Sequence, residues 1–194
     1  GSNAALIVEP STPIEKMIDR AVSGAFGFAG QLCISLQRIY VHASIYDTFV
    51  EQFIAATKKL KVGNPHDATT DVSAMINPTV MTSVSQTMKI VCEETFAPIV
   101  SIVSYETIFD AIRLVNDSTL GLNAGIYTNV LTDALLAADE MEAGAVIIND
   151  IPTFRTDNMP YGGVKMSGYG REGIKYAVEE MTDLKFISIN TSLS

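Results

Sequence analysis

Cys33 is suited to covalent chemistry by its thiol and by its neighbours. It ends the stretch Phe26-Gly27-Phe28-Ala29-Gly30-Gln31-Leu32-Cys33, a glycine-punctuated turn between a helix-like and a strand-like segment. A thiolate is a strong nucleophile toward a carbonyl carbon. Small residues let a ligand reach the backbone, and the Cys33 amide can help hold a developing oxyanion. Free cysteine is also among the most buried residue types. An inert, packed thiol therefore fits the turn equally well.

A second group is Glu93-Glu94-Thr95-Phe96-Ala97-Pro98, which leads into a β-branched run. A carboxylate accepts a pair of ribose hydroxyls, and an aromatic ring packs against a cofactor ring. Taken alone, the stretch reads equally as an acidic turn beside a core phenylalanine. The third group runs from Met159 to Gly173 and contains G-x-G-x-x-G at Gly168, Gly170 and Gly173. A dinucleotide fingerprint needs an apolar strand leading in and a ribose-binding acid about 20 residues on. The first is missing, and the chain ends near where the second belongs. The run reads as a structural turn feeding a helix.

The elements around these groups alternate in type. Ala5-Leu6-Ile7-Val8 reads as a buried strand, and Thr12-Pro13-Ile14-Glu15 as a capped helix start with a proline in the first turn. Met17, Ile18, Ala21, Val22 and Ala25 follow at helical spacing. Ser35 to His42 reads as a strand. Ser44-Ile45-Tyr46-Asp47 opens a helix that Gly63 and Pro65 stop, and Asn64 to Pro78 reads as polar loop. Pro98 to Tyr105, Gly125 to Tyr127, Val146 to Ile148 and Phe186 to Ile189 are further strands. Helices around Ile108, from Thr132 to Met141 and from Arg171 to Met181 lie between them. Apolar strands alternating with amphipathic helices predict an α/β, three-layer domain with a mainly parallel, twisted sheet flanked by helices.

Composition narrows the function. The 194 residues carry a net charge of −9 and are 47% hydrophobic, which suits a globular domain and not a nucleic-acid or anionic-membrane binder. No apolar run approaches the ~18 residues of a membrane span. Two cysteines outside any C-x-x-C pair, with two histidines, draw no zinc pattern. A reducing cytoplasm is the expected compartment. Gly1-Ser2-Asn3-Ala4 reads as an expression scar and is set aside.

The three groups in this order resemble the aldehyde dehydrogenase family, with its F-x-x-x-G-Q-x-C, E-x-F-G-P and P-F-G-G-x-K-x-S-G-x-G-R-E patterns. Leu120-Gly121-Leu122-Asn123-Ala124-Gly125 and Val146-Ile147-Ile148-Asn149 also match, so the resemblance covers the chain from about Ala5 to Ile189. It implies a catalytic domain over residues 5–185 and a terminal oligomerisation strand over 186–190. Cys33 is then the nucleophile, attacking an aldehyde to give a thiohemiacetal and then a thioester. Glu94 and Phe96 hold NAD or NADP. Asn149, Phe154 and Arg155 line the substrate side, with Arg155 able to pair with a carboxylate or phosphonate. A homodimer or higher homo-oligomer is implied. Alternatives are a CoA-acylating relative, disfavoured by Lys165-Met166-Ser167-Gly168, and a non-catalytic assembly domain. A thiol acyltransferase or esterase would need a histidine near Cys33.

The match has four departures. The family's cofactor-binding domain, general-base glutamate and oxyanion asparagine have no counterpart here, so the chain alone is expected to be inactive and to hold NAD weakly. Asp71 to Pro78 is short, with a junction near Ile76-Asn77-Pro78. Ala97 replaces glycine, at about 1 kcal/mol if that position needs positive φ. Tyr161 replaces phenylalanine, which is expected to be harmless.

Overall fold

The computed structural model describes residues 1–73 and 77–192. The strands in chain order are β1 (Ala4–Val8), β2 (Leu36–His42), β3 (Thr79–Met81), β4 (Ile99–Tyr105), β5 (Leu120–Gly121), β6 (Asn123–Tyr127), β7 (Ala145–Ile148) and β8 (Val164–Lys165). Six of them form one sheet in the order β3-β4-β2-β1-β6-β7, with every adjacent pair parallel. β5 and β8 form a small antiparallel pair. β1 is buried at every position, as an unbroken apolar run in the middle of a parallel sheet must be.

The helices are α1 (Ile14–Phe26), α2 (Tyr46–Thr57), α3 (Lys89–Cys92), α4 (Ile108–Asn116), α5 (Leu131–Glu140) and α6 (Ile174–Met181). Alternate residues of a strand face opposite sides, and β1 divides its residues accordingly. Leu6 and Val8 pack with Met17, Ile18 and Val22 of α1 and Phe49 and Phe53 of α2. Ala5 and Ile7 pack with Ala111, Ile112 and Val115 of α4 and Ala137 of α5. The three-layer α/β arrangement read from the sequence is therefore the observed one.

Several local readings are corrected. Thr12 does not cap α1, because its hydroxyl donates to the Tyr127 carbonyl at 2.8 Å; Pro13 takes the cap position without a side-chain bond. Ser44 does not cap α2 either, because its hydroxyl lies 2.8 Å from His42 Nδ1 and a short 3₁₀ turn precedes the helix. Strict alternation in β2 fails at Gln37, where the register slips against Ala4 and Ala5. Such a bulge lets Leu36 share a face with Ile39 and Val41. Residues 1–4 belong to the fold: Ala4 opens β1, and Ser2 and Asn3 are buried. β3, α3, β5 and β8 are too short to leave a periodic signal. Ile76, in the anticipated junction, lies outside the described residues.

Phe186 to Ile189 forms no strand within the single chain. It follows α6 with its apolar side chains open to solvent, Phe186 at 92% exposure. A strand needs a partner edge, and among the described residues nothing pairs with this segment. Among the described residues no helix is long and apolar enough to cross a membrane.

Candidate active site

Cys33 lies ahead of β2, at the amino edge of the sheet, and is exposed. The turn that delivers it is left-handed at three successive residues: Phe28 (φ 52), Ala29 (φ 55) and Gly30 (φ 72). Only glycine takes such a backbone without strain. The Gln31 amide closes the turn on the Phe28 carbonyl at 3.1 Å, and the Ser35 amide bonds Leu32 at 3.0 Å.

The turn and the Glu94 loop meet at Gly30. A Cβ there would stand 2.1 Å from the Ala97 carbonyl oxygen and 2.8 Å from the Pro98 nitrogen, so the close approach requires glycine. Gln37 adds a second tie, its Oε1 accepting the Thr95 amide at 3.2 Å. Glu94 and Phe96 are thereby set beside the cysteine turn. The Phe96 ring is exposed and its backbone is left-handed, φ 55. Ala97 is not left-handed, so its replacement of glycine carries no strain of that kind. One oxygen of Glu94 accepts the Ser2 amide at 2.7 Å.

Asn149 is not on the Cys33 side, contrary to expectation. Strand register puts it level with Tyr127 and, through β1, with Val41, at the carboxyl edge of the sheet. Leu36 marks the opposite edge, on the order of 16 Å away along the strands. Asn149 is left-handed, φ 58, and its Oδ1 accepts the Thr128 amide at 2.9 Å. It lines a cleft with Lys16, Arg20, Tyr127 and Asp150. There Arg20 and Asp150 pair at 2.7 Å. Burial opposes ionisation of Asp150, but hydrogen bonds from Arg20 and the Ile151 amide prevail and hold its carboxyl below the usual range.

From Asn149 the chain returns across β6 to the amino edge, and two glycines leave room for it. A Cβ on Gly125 would meet the Asp150 carbonyl at 2.9 Å, and one on Gly24 would meet Ile151 at 2.9 Å. Asn123, at the amino end of β6, donates to the Pro152 carbonyl at 2.8 Å. Phe154 and Arg155 then follow on an exposed tip. Phe154 does not line the hollow that holds Cys33, whereas Arg155 reaches it through Tyr161. The guanidinium carbon is 4.1 Å from the Tyr161 ring centroid. Tyr161 and Cys33 line one hollow of about 210 Å³ with Leu122, Gly163, Ser167 and Glu172. Burial pushes the Tyr161 phenol up, negative charge at Cys33 adds to this, and Arg155 opposes it.

Cys92 follows the apolar pair Ile90-Val91, a setting that predicts packing, yet it is exposed. It ends the single-turn α3, and its thiol donates to the Met88 carbonyl at 3.3 Å. Sequence reading missed Arg38, which is 2% exposed inside β2. Its guanidinium donates to the carbonyls of Asn3, Leu114 and Val115 and to the Tyr40 hydroxyl. A charged residue inside an apolar strand run was the available signal.

A sequence profile of the aldehyde dehydrogenase family matches residues 1–78 and 73–187. The 3-sulfolactaldehyde dehydrogenase of Priestia aryabhattai is 42% identical over 98% of this chain and 47% of its own length. The lactaldehyde dehydrogenase of Methanococcus aeolicus is 35% identical over 98% and 48%. The chain thus spans about half the length of these relatives. Aldehyde dehydrogenase 21 from Physcomitrella patens, in complex with the reaction product succinate, superposes with a TM-score of 0.93 at 35% identity, covering 100% of this chain and 48% of that one. Glyceraldehyde-3-phosphate dehydrogenase from Methanocaldococcus jannaschii, complexed with NADP, gives 0.91 at 36% identity, covering 95% and 47%. With the profile spanning nearly every residue, from the buried Ser2 to the start of the exposed tail, the chain belongs to the aldehyde dehydrogenase family.

Proposed function

We propose that this chain is the cysteine-bearing half of an NAD(P)-dependent aldehyde dehydrogenase that oxidises a short aldehyde to its carboxylate. The observation that carries the reading is the contact of the Cys33 turn with the Glu94–Pro98 loop at Gly30. It puts an exposed thiol, a carboxylate and an exposed aromatic ring together at one sheet edge.

These residues divide the work. The Cys33 thiolate attacks the carbonyl carbon, forming a C–S bond and an oxyanion to which the Cys33 amide can donate. Loss of hydride from that carbon leaves a thioester on Cys33, and water releases the carboxylate. NAD or NADP, when bound, supplies the hydride acceptor. An open aromatic ring beside a carboxylate suits such a group, with Phe96 packing the nicotinamide and Glu94 holding ribose hydroxyls. The test is acetyl transfer from p-nitrophenyl acetate, which needs no cofactor: the acetyl group is expected on Cys33.

We also infer a homodimer or higher oligomer, in which Phe186–Ile189 adds to a neighbouring copy's sheet. Ile174 and Met181 of α6 and Leu184, Phe186 and Ile189 beyond it are all exposed. An apolar, unpaired segment of that kind is a liability until covered. Light scattering at micromolar concentration is expected to give at least twice the chain mass, and a monodisperse monomer would contradict the inference. The cytoplasm, where exposed thiols stay reduced, is the compartment assigned.

A further inference from the structure

The Cys33 site leaves unused the place where an open parallel sheet ordinarily binds a ligand. That place is the crevice outside the carboxyl ends of neighbouring strands whose connections leave on opposite faces. β1 and β6 are such a pair, parallel and adjacent. β1 leads into α1, which packs on the face of Leu6 and Val8. β6 leads into α5, which packs on the face of Ala5 and Ile7. The cleft of Lys16, Arg20, Tyr127, Asn149 and Asp150 opens at this switch point and holds about 470 Å³.

Its charges favour an anion. Asp150 is the one acid lining it, and both of its oxygens are taken by Arg20, at 2.7 and 3.2 Å. Among the described residues Lys16 is in no ion pair. Glu15 and Asp19 of α1 do not line the cleft. α1 itself starts there, beside Pro13, which offers no side-chain cap. The open amides of a first helical turn carry partial positive charge.

Tyr127 is the independent pointer to a ligand. It is 8% exposed, and its ring packs with Val8 and Met17 in the core. The buried hydroxyls of Tyr40 and Tyr105 donate to carbonyls. The Tyr127 hydroxyl has no such partner among the described residues and lies within the field of Asp150 and Arg20, at the cleft. Burial, then the charge of Asp150, push this phenol up to about 12. It therefore keeps its proton at neutral pH and can donate it to a ligand oxygen.

We propose that the cleft at the carboxyl ends of β1 and β6 binds a small phosphate monoester, its phosphate facing Lys16, the Tyr127 hydroxyl and the start of α1. A phosphate brings three acceptor oxygens and up to two charges, so it engages more of these donors than a carboxylate does. The cleft is larger than the phosphate group alone and has room for the organic part. The proposal stands whether or not Cys33 is the nucleophile.

The test follows the melting temperature of the purified chain against glycerol 3-phosphate at constant ionic strength. A ligand that binds the folded state raises it in a saturable way. Tyr127→Phe keeps the ring and removes the donor; the half-saturating concentration is expected to rise roughly two- to tenfold, the range of one hydrogen bond. Lys16→Met should raise it roughly two- to fivefold, as for an exposed ion pair. Arg155→Met, beside the Cys33 hollow, should leave it unchanged, and sodium acetate should give no saturable rise. Absence of a saturable rise with glycerol 3-phosphate overturns the proposal, as does a rise that both cleft substitutions leave intact. Loss of the effect in Arg155→Met would place the phosphate at the Cys33 hollow, and an equal rise with acetate would remove the selectivity for phosphate; either result overturns it too.

Discussion

Gly30→Ala is expected to destabilise the chain by about 2–4 kcal/mol and to part the Cys33 turn from the Glu94 loop. Two effects add. At φ 72 an alanine is strained by about 1 kcal/mol relative to glycine. Its methyl would also sit 2.1 Å from the Ala97 carbonyl oxygen. Backbone cannot swing aside as a side chain can, and such overpacking typically costs about 1–3 kcal/mol. Gly27→Ala is the matched control. Gly27 has φ −54, and nothing lies within 4 Å of a Cβ built there. A change within about 0.5 kcal/mol is expected for it. Urea unfolding midpoints at constant slope read both. Equal stability of the two variants would mean that the two loops do not meet as described.

Arg38→Met is expected to cost about 2–6 kcal/mol, since each of two buried carbonyls left without a side-chain donor costs about 1–3 kcal/mol. Four hydrogen bonds are lost at once, and three of their acceptors are main-chain carbonyls of Asn3, Leu114 and Val115. Leu114 and Val115 stand in the last turn of α4, where carbonyls lack helical partners. Methionine fills similar space but donates nothing, so the Asn3 and Val115 oxygens lose the guanidinium, while the Leu114 carbonyl keeps Gln86 and the Tyr40 hydroxyl as donors. Arg38→Lys should fall well short of rescue, because a single ammonium cannot serve both β1 and the end of α4. Thermal unfolding decides this: a melting temperature for Arg38→Met equal to that of the parent chain would show that the carbonyls find other donors.

Much of the architecture is legible in the sequence because it follows from periodicity. The unbroken apolar run of β1 predicts a strand covered on both faces, and Met17 to Ala25 predict the buried stripe of α1. The three ordered groups around Cys33, Glu94 and Tyr161 are equally legible, being fixed by residue type and spacing. What escapes is whatever depends on the return of the chain. Asn149 lies within a matching segment, yet the length of β7 carries it to the far edge of the sheet, while Arg155, six residues on, comes back over Gly125. The left-handed backbone at Phe28 and Ala29 has no signal in residue type, since neither is glycine. Its location also runs against a general tendency. Open parallel sheets bind ligands at the carboxyl ends of their strands, whereas here Cys33, Glu94 and Phe96 gather at the amino edge.

The central claim is that Cys33 is an acyl-accepting nucleophile. p-Nitrophenyl acetate tests it directly, because the thiolate attacks the ester carbonyl, p-nitrophenolate leaves, and the acetyl group remains as a thioester. The purified chain should release p-nitrophenolate in a burst of about one equivalent per chain. Peptide mapping should find the acetyl group on Cys33 rather than Cys92, and Cys33→Ala should abolish the burst. Acetylation that favours Cys92, or a burst that survives Cys33→Ala, would contradict the account.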